Sequence, residues 1–185
     1  MMPFSLNNAS DFTFTINGLI YLSEDFMAWP VNSNNDANHF FVVNDVENLT
    51  IKGTGQIDGQ GYWWWMREYV QKNVHSRPHM LLMERVNHCY ITGVKFTNSP
   101  YYHMLLLDVN DFLIENLEIR VNVVEQKKLA MQYGEFDLKL GIPTFPLNTD
   151  GIDPSGSNIV IRNVNITSYD DSIAVKPADK RNKIA

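Results

Sequence analysis

The amino-acid sequence predicts an all-β chain wound as a parallel β-helix, and three observations support that prediction. Apolar residues alternate with polar ones in short runs, with the period of two that is typical of strands. One pattern of strand, Gly or Asn, and second strand occurs four times. Its Ile positions, 51, 91, 114 and 161, lie 40, 23 and 47 residues apart, and a period in the low twenties built from β-units indicates a solenoid.

The four copies of the pattern are residues 48–53, 88–96, 111–119 and 158–166. In each copy, Gly or Asn stands where the chain must bend, because both residues tolerate a positive φ. The steps of 40 and 47 residues are interpreted as single coils that carry insertions. A second repeat, in which the His-Met-Leu-Leu of residues 79–82 recurs at 103–106, predicts that His79 and His103 stack on adjacent coils as structural residues.

Two other folds share part of this pattern. Leucine-rich repeats have a similar period, but the sequence lacks the Leu-x-x-Leu-x-Leu frame and the helical half of that repeat. An antiparallel sandwich with accidental self-similarity is the remaining alternative. The parallel β-helix fits better, since each coil rests on the next and equivalent side chains on neighbouring coils stand roughly 4.8 Å apart.

Two stretches interrupt the repeat. Residues 58–69 are punctuated by Gly and contain three adjacent Trp residues, which we expect to pack over a coil end rather than to stack on sugar rings. Residues 125–133 are predicted to form a short helix, followed by a loop that runs to Pro146. Insertions on one face of a solenoid often wall a cleft, and the alternative of a solvated excursion stays open.

The composition is that of a globular protein, and the 185 residues are predicted to form one domain, residues 1–185. The net charge of −6 argues against a nucleic-acid partner, which requires a basic surface. No run approaches the roughly 18 apolar residues of a membrane span, so no membrane partner is expected. The opening residues do not resemble a signal peptide, the single cysteine cannot form an internal disulfide, and we expect a monomer.

Two acidic turns lie near the end of the chain. Asp150 precedes Asp170 by 20 residues and Asp171 by 21, close to the length of one coil, so a solenoid would hold the three carboxylates side by side. Crowded carboxylates repel one another, and at least one pKa should rise so that the group keeps its proton near neutral pH. A protonated acid beside ionised partners is what cleavage of a glycosidic bond requires. The alternative is a pair of solvated coil corners.

The residues around these acids resemble two signature motifs of the polygalacturonase family, the family 28 glycoside hydrolases. The motifs are Asn-Thr-Asp-Gly-Ile-Asp at 148–153 and Asp-Asp-Ser-Ile-Ala-Val-Lys at 170–176. Residues 53–61 with the Trp run after them, and Asn-Ser-Pro at 98–100, are also similar to that family. The resemblance covers about residues 40–178.

This resemblance implies a right-handed parallel β-helix that hydrolyses pectic polysaccharide with inversion, with α-1,4-linked galacturonan as the leading substrate. By position in the motifs, Asp170 would be the general acid, while Asp150 and Asp171 would activate water. It also implies secretion. The sequons at Asn8, Asn48 and Asn165 are compatible with secretion but too short to be evidence for it.

The sequence departs from the family pattern in two places. Ser172 stands where the family usually has Cys, which removes a disulfide partner without touching the acids. The family's Gly-His-Gly turn and its Arg-x-Lys, which grips the substrate carboxylate, do not occur before Ala185. We therefore expect an incomplete domain with further coils beyond Ala185. On this reading the 185-residue chain alone is poorly stable and weakly active or inactive.

Asn148 and Lys176 are the candidate substrate-binding residues. Lys176 is the cation nearest the acids in sequence, although a solvated lysine at a strand end is the alternative. No cofactor and no metal are expected, since no phosphate-binding Gly loop or Cys/His metal box is present. The one-coil separation of the acids is shorter than the roughly 6.5–9.5 Å usual for inverting pairs, so inversion rests on the resemblance alone.

Three functions are consistent with the sequence. The first is hydrolysis of galacturonan or a related pectic backbone such as rhamnogalacturonan. The second is a β-helix remnant that binds polysaccharide without cleaving it. The third is a pectate-lyase-like enzyme, for which the acids would hold Ca²⁺, although no Arg or Lys suited to accept the proton is evident.

Overall fold

The computed structural model describes residues 1–25, 27–69, 75–125 and 146–177, and the described part is built almost entirely from strands. Its elements in chain order are β1 (Phe4–Thr15), β2 (Leu19–Tyr21), β3 (Phe41–Lys52), β4 (Gln56–Asp58), α1 (Tyr62–Tyr69), β5 (Leu81–Thr92), β6 (Lys95–Thr97), β7 (Met104–Arg120) and β8 (Ile152–Thr167). The first three coils each contribute one long and one short strand. In β7 and β8 the two are continuous.

Every pairing between these strands is parallel, and each strand lies against its equivalent in the next coil. The long strands pair in the order β1, β3, β5, β7 and β8. The short strands β2, β4 and β6 pair in turn and end against the second half of β7. The parallel pairing excludes the antiparallel sandwich, and the predicted parallel β-helix is confirmed.

The predicted repeat sets the register of the coils. The Ile positions form one column, since Ile51 pairs with Ile91, Ile91 with Ile114, and Ile114 with Ile161. Two residues further on stand the predicted bends, each with a positive φ: Gly53 (137°), Gly93 (78°), Asn116 (55°) and Asn163 (51°). The chain turns a corner at these residues, and Gly and Asn adopt the positive φ of the corner with little backbone strain.

The repeat pattern did not predict the first coil. Strands β1 and β2 form a coil before the first predicted copy, and Phe14 lies in register with Ile51. This coil has Phe in the Ile column, and Ile16 stands where the later coils have Gly or Asn. Both marks of the repeat are therefore missing, although the strand forms.

The expected stacking of His79 on His103 was wrong. Leu81 pairs with Met104, so the two coils are offset by 23 residues and not by the 24 of the His-Met-Leu-Leu match. A one-residue shift turns every side chain to the other face of a strand. The His79 ring instead lies 4.5 Å from His39 and 4.8 Å from Tyr102, between ring centroids. His103 is fully buried.

The interior is filled by columns of apolar side chains from successive coils. β3 and β5 show the same succession of buried and more exposed positions at all but their last residue. Val43, Met83 and Leu106 are fully buried neighbours in one such column, and Val46 and Val86 are equally buried in the next. Each coil thus covers the core of the coil before it.

Two of the three adjacent Trp rings pack inside the protein. Trp64 and Trp65 in α1 are buried. Trp65 donates its indole N–H to the Ser99 carbonyl at 3.0 Å, and Trp64 meets Trp29 edge-on at 5.8 Å between ring centroids. A side chain at Gly61 would meet Trp65 at 2.6 Å, so the glycine makes room for the indole. The packing interpretation of this stretch is confirmed for these two rings.

Two predictions are not tested by the described residues. Most of the helix predicted at 125–133, and most of the loop that follows it, lie outside the described residues. The prediction of a single domain over residues 1–185 is not tested by the described part and stays a prediction. Among the described residues, no helix is long and apolar enough to cross a membrane.

Replacing Ile114 by Ala should test the column. Ile114 is fully buried between Ile91 and Ile161, and truncating such a side chain costs about 2–5 kcal/mol. We expect urea denaturation to give a free energy of unfolding lower by that amount. The control is Val160→Ala, on an outward-facing position where half of the side chain is exposed. Equal losses in the two variants would contradict the assigned register.

Candidate active site

The three predicted acids meet because of the coil register. Asp150 stands two residues before the start of β8, and Asp170 and Asp171 follow its end. The Gly151 N–H donates to the Asp171 carbonyl at 2.9 Å, and the Ile152 N–H donates to the Ser172 carbonyl at 3.1 Å. One carboxylate oxygen from each of the three aspartates lies within 4.8 Å of the others. The predicted clustering of the acids in space is confirmed.

Asp150 is the buried member of the three, with an exposed fraction of 4%. Its Oδ1 has no hydrogen-bond partner among the described residues. Burial, followed by the charges of Asp153 and Asp170, raises the pKa of Asp150 from its ordinary 3.8 to about 6. One raised carboxyl pKa was predicted from crowding; Asp150 has it, with burial as the larger cause and the neighbouring carboxylates as the smaller one.

Buried His103 supports the main chain of Asp150. Its backbone N–H donates to the Asp150 carbonyl at 2.9 Å, and its Nδ1 lies 2.9 Å from the same oxygen. Nε2 accepts the Ser99 N–H at 3.4 Å, which leaves Nδ1 as the donor. Burial lowers the pKa of His103 to about 4, so the ring is neutral at physiological pH and adds no charge beside the acids.

Asp170 and Asp171 are exposed. Asp170 accepts hydrogen bonds at both oxygens: Oδ2 from the backbone N–H of Asn148 at 3.2 Å and from its side-chain Nδ2 at 3.3 Å, and Oδ1 from the Asp171 N–H at 2.9 Å. Asn148, a candidate substrate-binding residue, is thus directed at an acid. It has a φ of 57°, which Asn tolerates better than most residues.

Lys176 reaches the acidic region but pairs with a residue to which the sequence reasoning gave no role. Its Nζ lies 3.0 Å from Oδ2 of Asp153, which is fully buried. The Nζ also lies 5.1 Å from the centroid of the Tyr102 ring. The hydrogen bond to Asp153 raises the pKa of Lys176, while burial raises the pKa of Asp153 against that same bond. The solvated-lysine alternative is wrong.

Asp153 was visible in the motif, and its place in the strand was the available signal. It stands three residues after Asp150 and pairs with Leu105 on the previous coil. A carboxylate in a column otherwise occupied by an apolar residue indicates a partner of opposite charge. Lys176 provides that partner; it stands three residues after Ile173, which pairs with Ile152.

The same three carboxylates have the spacing of a possible divalent-cation site. Oxygen ligands of this kind suit Ca²⁺, which the lyase alternative needs. Two of the three are exposed, and the described Lys176 ammonium already compensates the adjacent Asp153. We expected no metal here, and that expectation stays a prediction.

Comparison with known proteins places this geometry in a family. The model of "Glycosyl hydrolases family 28" matches residues 3–185. A probable polygalacturonase of Arabidopsis thaliana is 30% identical over 145 residues, which is 78% of this chain and 26% of the relative. An exopolygalacturonase of Zea mays is 27% identical over 174 residues, 92% of this chain and 36% of the relative. An endo-polygalacturonase of Pectobacterium carotovorum is 28% identical over 149 residues, covering 74% and 32%.

Solved structures agree on the fold. A polygalacturonase from Erwinia carotovora gives a TM-score of 0.72 at 24% identity, over 95% of this chain and 47% of that one. An endo-xylogalacturonan hydrolase from Aspergillus tubingensis gives 0.70 at 22% identity, over 93% and 41%. The architecture is therefore the right-handed parallel β-helix that the resemblance implied.

The match begins at residue 3, well before the expected start near residue 40, because it includes the coil of β1 and β2 that the sequence reasoning missed. The chain spans about a quarter to a third of the length of these curated relatives. With the family model matching nearly all of its residues, the chain belongs to glycosyl hydrolases family 28.

Proposed function

We propose that the protein hydrolyses glycosidic bonds in pectic polysaccharide, with α-1,4-linked galacturonan as the first substrate to test. The observation that supports this is the set of three carboxylates within 4.8 Å, one of which keeps a proton up to a pH of about 6. A proton donor beside ionised carboxylates supplies both the acid and the base of glycoside hydrolysis. The family and its polygalacturonase members support the same reaction.

In the proposed reaction, Asp170 gives its proton to the glycosidic oxygen as the bond from that oxygen to the anomeric carbon breaks. Water attacks the anomeric carbon and loses a proton to Asp150 or Asp171. Asp170 is assigned by its position in the motif, whereas the carboxyl group with the raised pKa is that of Asp150. The two assignments agree if the proton passes from Asp150 to Asp170 when substrate binds, across a gap within 4.8 Å.

Inversion of configuration is proposed on the family resemblance and not on the distance. Inverting pairs usually stand roughly 6.5–9.5 Å apart, so that water fits between the acid and the base. The carboxylate oxygens here lie within 4.8 Å. An inverting reaction in this site therefore requires the water to stand to one side of the acids and not between them.

Lys176 and Asn148 are proposed as substrate contacts with weaker support. The Lys176 ammonium is held by Asp153 at 3.0 Å, and the amide of Asn148 donates to Asp170. A galacturonate carboxylate would have to share either group with its present partner. Secretion and a monomeric state are proposed from the family resemblance alone, and no contact described above supports them.

The two other functions give distinct results in one assay of the full-length protein on polygalacturonate. A remnant that only binds would be retained on the polymer without releasing reducing ends. A lyase would produce unsaturated ends that absorb in the ultraviolet, and chelation of Ca²⁺ would stop it. A hydrolase releases reducing ends without that absorbance.

Asp170→Asn should reduce the release of reducing ends from polygalacturonate by about a hundred- to ten-thousand-fold, because it removes the proposed proton donor. The matched control is Asp108→Asn at an exposed corner with a φ of 52°, which Asn also accepts. A fully active Asp170→Asn enzyme would contradict its role. A wild-type protein without release from any pectic polymer would contradict the function.

Asp150→Asn should flatten the dependence of stability on pH between about 4 and 6. The folded pKa of Asp150 is about 6 against an ordinary 3.8, so the folded state binds the proton more tightly than the unfolded state. Stability present below pH 4 is lost as the pH rises through 6, by up to about 3 kcal/mol. Urea unfolding of both proteins across this range measures it, and a constant difference between them would contradict the raised pKa.

Proton NMR of the first products should show the β-anomer at new reducing ends of α-linked galacturonan, before mutarotation mixes the anomers. This follows from a single displacement by water. An initial α-anomer would indicate a retaining reaction through a covalent intermediate. That result would favour the short carboxylate separation as the better guide to stereochemistry.

A further inference from the structure

We propose that Arg77 is a positioning residue of the acidic site, holding the Asn148 amide so that it donates to Asp170. This inference deepens the proposed function and rests on it. Arg77 lies 71 residues before Asn148 and 93 before Asp170. No motif or repeat in the sequence connects them.

Arg77 is a buried cation, with 4% of its side chain exposed. Its Nη1 donates to the carbonyl of Pro100 at 3.2 Å and to that of Leu147 at 2.5 Å. Its Nη2 donates to Oδ1 of Asn148 at 3.2 Å. The guanidinium also lies over the ring of Tyr101, 4.6 Å from the centroid.

The burial of this charge is costly. Glu68 faces it at 3.8 Å, from Nε to Oε2, which is beyond ordinary hydrogen-bond length. Glu68 compensates the charge at that distance, while all three hydrogen bonds described above for the guanidinium go to neutral oxygens. A buried ion costs several kcal/mol unless it is well compensated, and an apolar side chain of similar volume is often as stable. Packing alone does not explain an arginine here.

What the guanidinium supplies is a planar set of donors with fixed directions. One edge of it bridges the turn before β7 at Pro100 and the segment before Asp150 at Leu147. Another N–H occupies the amide oxygen of Asn148. Arg77 thus fixes both the main chain and the side chain at the approach to the acids.

The direction of the Asn148 amide follows from that contact. With Oδ1 bound to Arg77, Nδ2 points at Oδ2 of Asp170, 3.3 Å away. A flipped amide would place its oxygen against the Asp170 carboxylate and repel it. The two N–H groups of Asn148 fix one oxygen of Asp170 in place beside Asp150. Arg77 therefore acts on the acid through Asn148 and without touching substrate.

The test compares Arg77→Gln, Asn148→Gly and the double variant in the full-length protein acting on polygalacturonate. Gly accepts the positive φ of residue 148, so this change removes the amide without straining the backbone. Each single variant should lower kcat by about tenfold to a hundredfold, the cost of misplacing a reacting group. KM should stay within about twofold, and the double variant should match the singles.

The matched control is Arg85→Gln, since Arg85 is exposed and pairs with Asp45 far from the acids in the fold. It should keep its kcat. Arg77→Lys should recover only part of the activity, because a single ammonium cannot reach all three oxygens in the same geometry.

Several results would overturn the proposal. Losses that multiply in the double variant would mean that Arg77 does not act through Asn148. A rise in KM with constant kcat would mean that Asn148 acts as the weaker-supported substrate contact proposed above and not as the link between Arg77 and Asp170. An active Asn148→Gly enzyme would exclude that link even if the Arg77 variants fail to fold. If the wild-type protein turns over no pectic polymer, the proposed function fails separately. The contact of Arg77 with Asn148 then predicts that the change in melting temperature of the double variant differs from the sum of the changes in the two single variants. An equal sum would refute it.

Discussion

Parallel hydrogen bonding between successive coils is the interaction on which the rest of the molecule depends. It places each residue over its equivalent in the coil before, so a column in space is a set of matching sequence positions. The fully buried Ile column and the positive-φ bends hold this register. The acids meet for the same reason, since the backbone bonds from Gly151 and Ile152 to the next coil bring Asp171 beside Asp150.

Compensation of charge in the site is indirect. The Lys176 cation pairs with buried Asp153 and not with one of the three acids, and Arg77 donates its hydrogen bonds to neutral oxygens, with Glu68 3.8 Å away. Asp150 is left with a carboxyl oxygen that has no partner among the described residues. The negative charge of the three acids is therefore only partly compensated, which agrees with the raised pKa of Asp150. The residues around the acids are nevertheless held in place by hydrogen bonds.

The sequence was sufficient to predict the solenoid, its register at the Ile column and the meeting of the acids, because each depends on residues one coil apart. The first coil was missed since Phe14 and Ile16 replace the marks of the repeat. The contacts of Arg77 could not be predicted in the same way, because they depend on side-chain directions beside an inserted segment that follows no period. The partners Asp153 and Lys176 stand 23 residues apart, close to one coil, so their pairing was within reach of the same reasoning.

The placement of the acids on adjacent coils has a consequence for how such a site changes in evolution. The gap between them is a multiple of the interstrand spacing, roughly 4.8 Å per coil, and it cannot be adjusted by small steps in the backbone. An insertion of one residue would rotate an acid into the core, whereas a whole added coil would double the gap. Gradual adaptation to a different sugar must therefore come from the loops and from residues that contact the acids, such as Asn148. The acids themselves keep the positions that the coils give them.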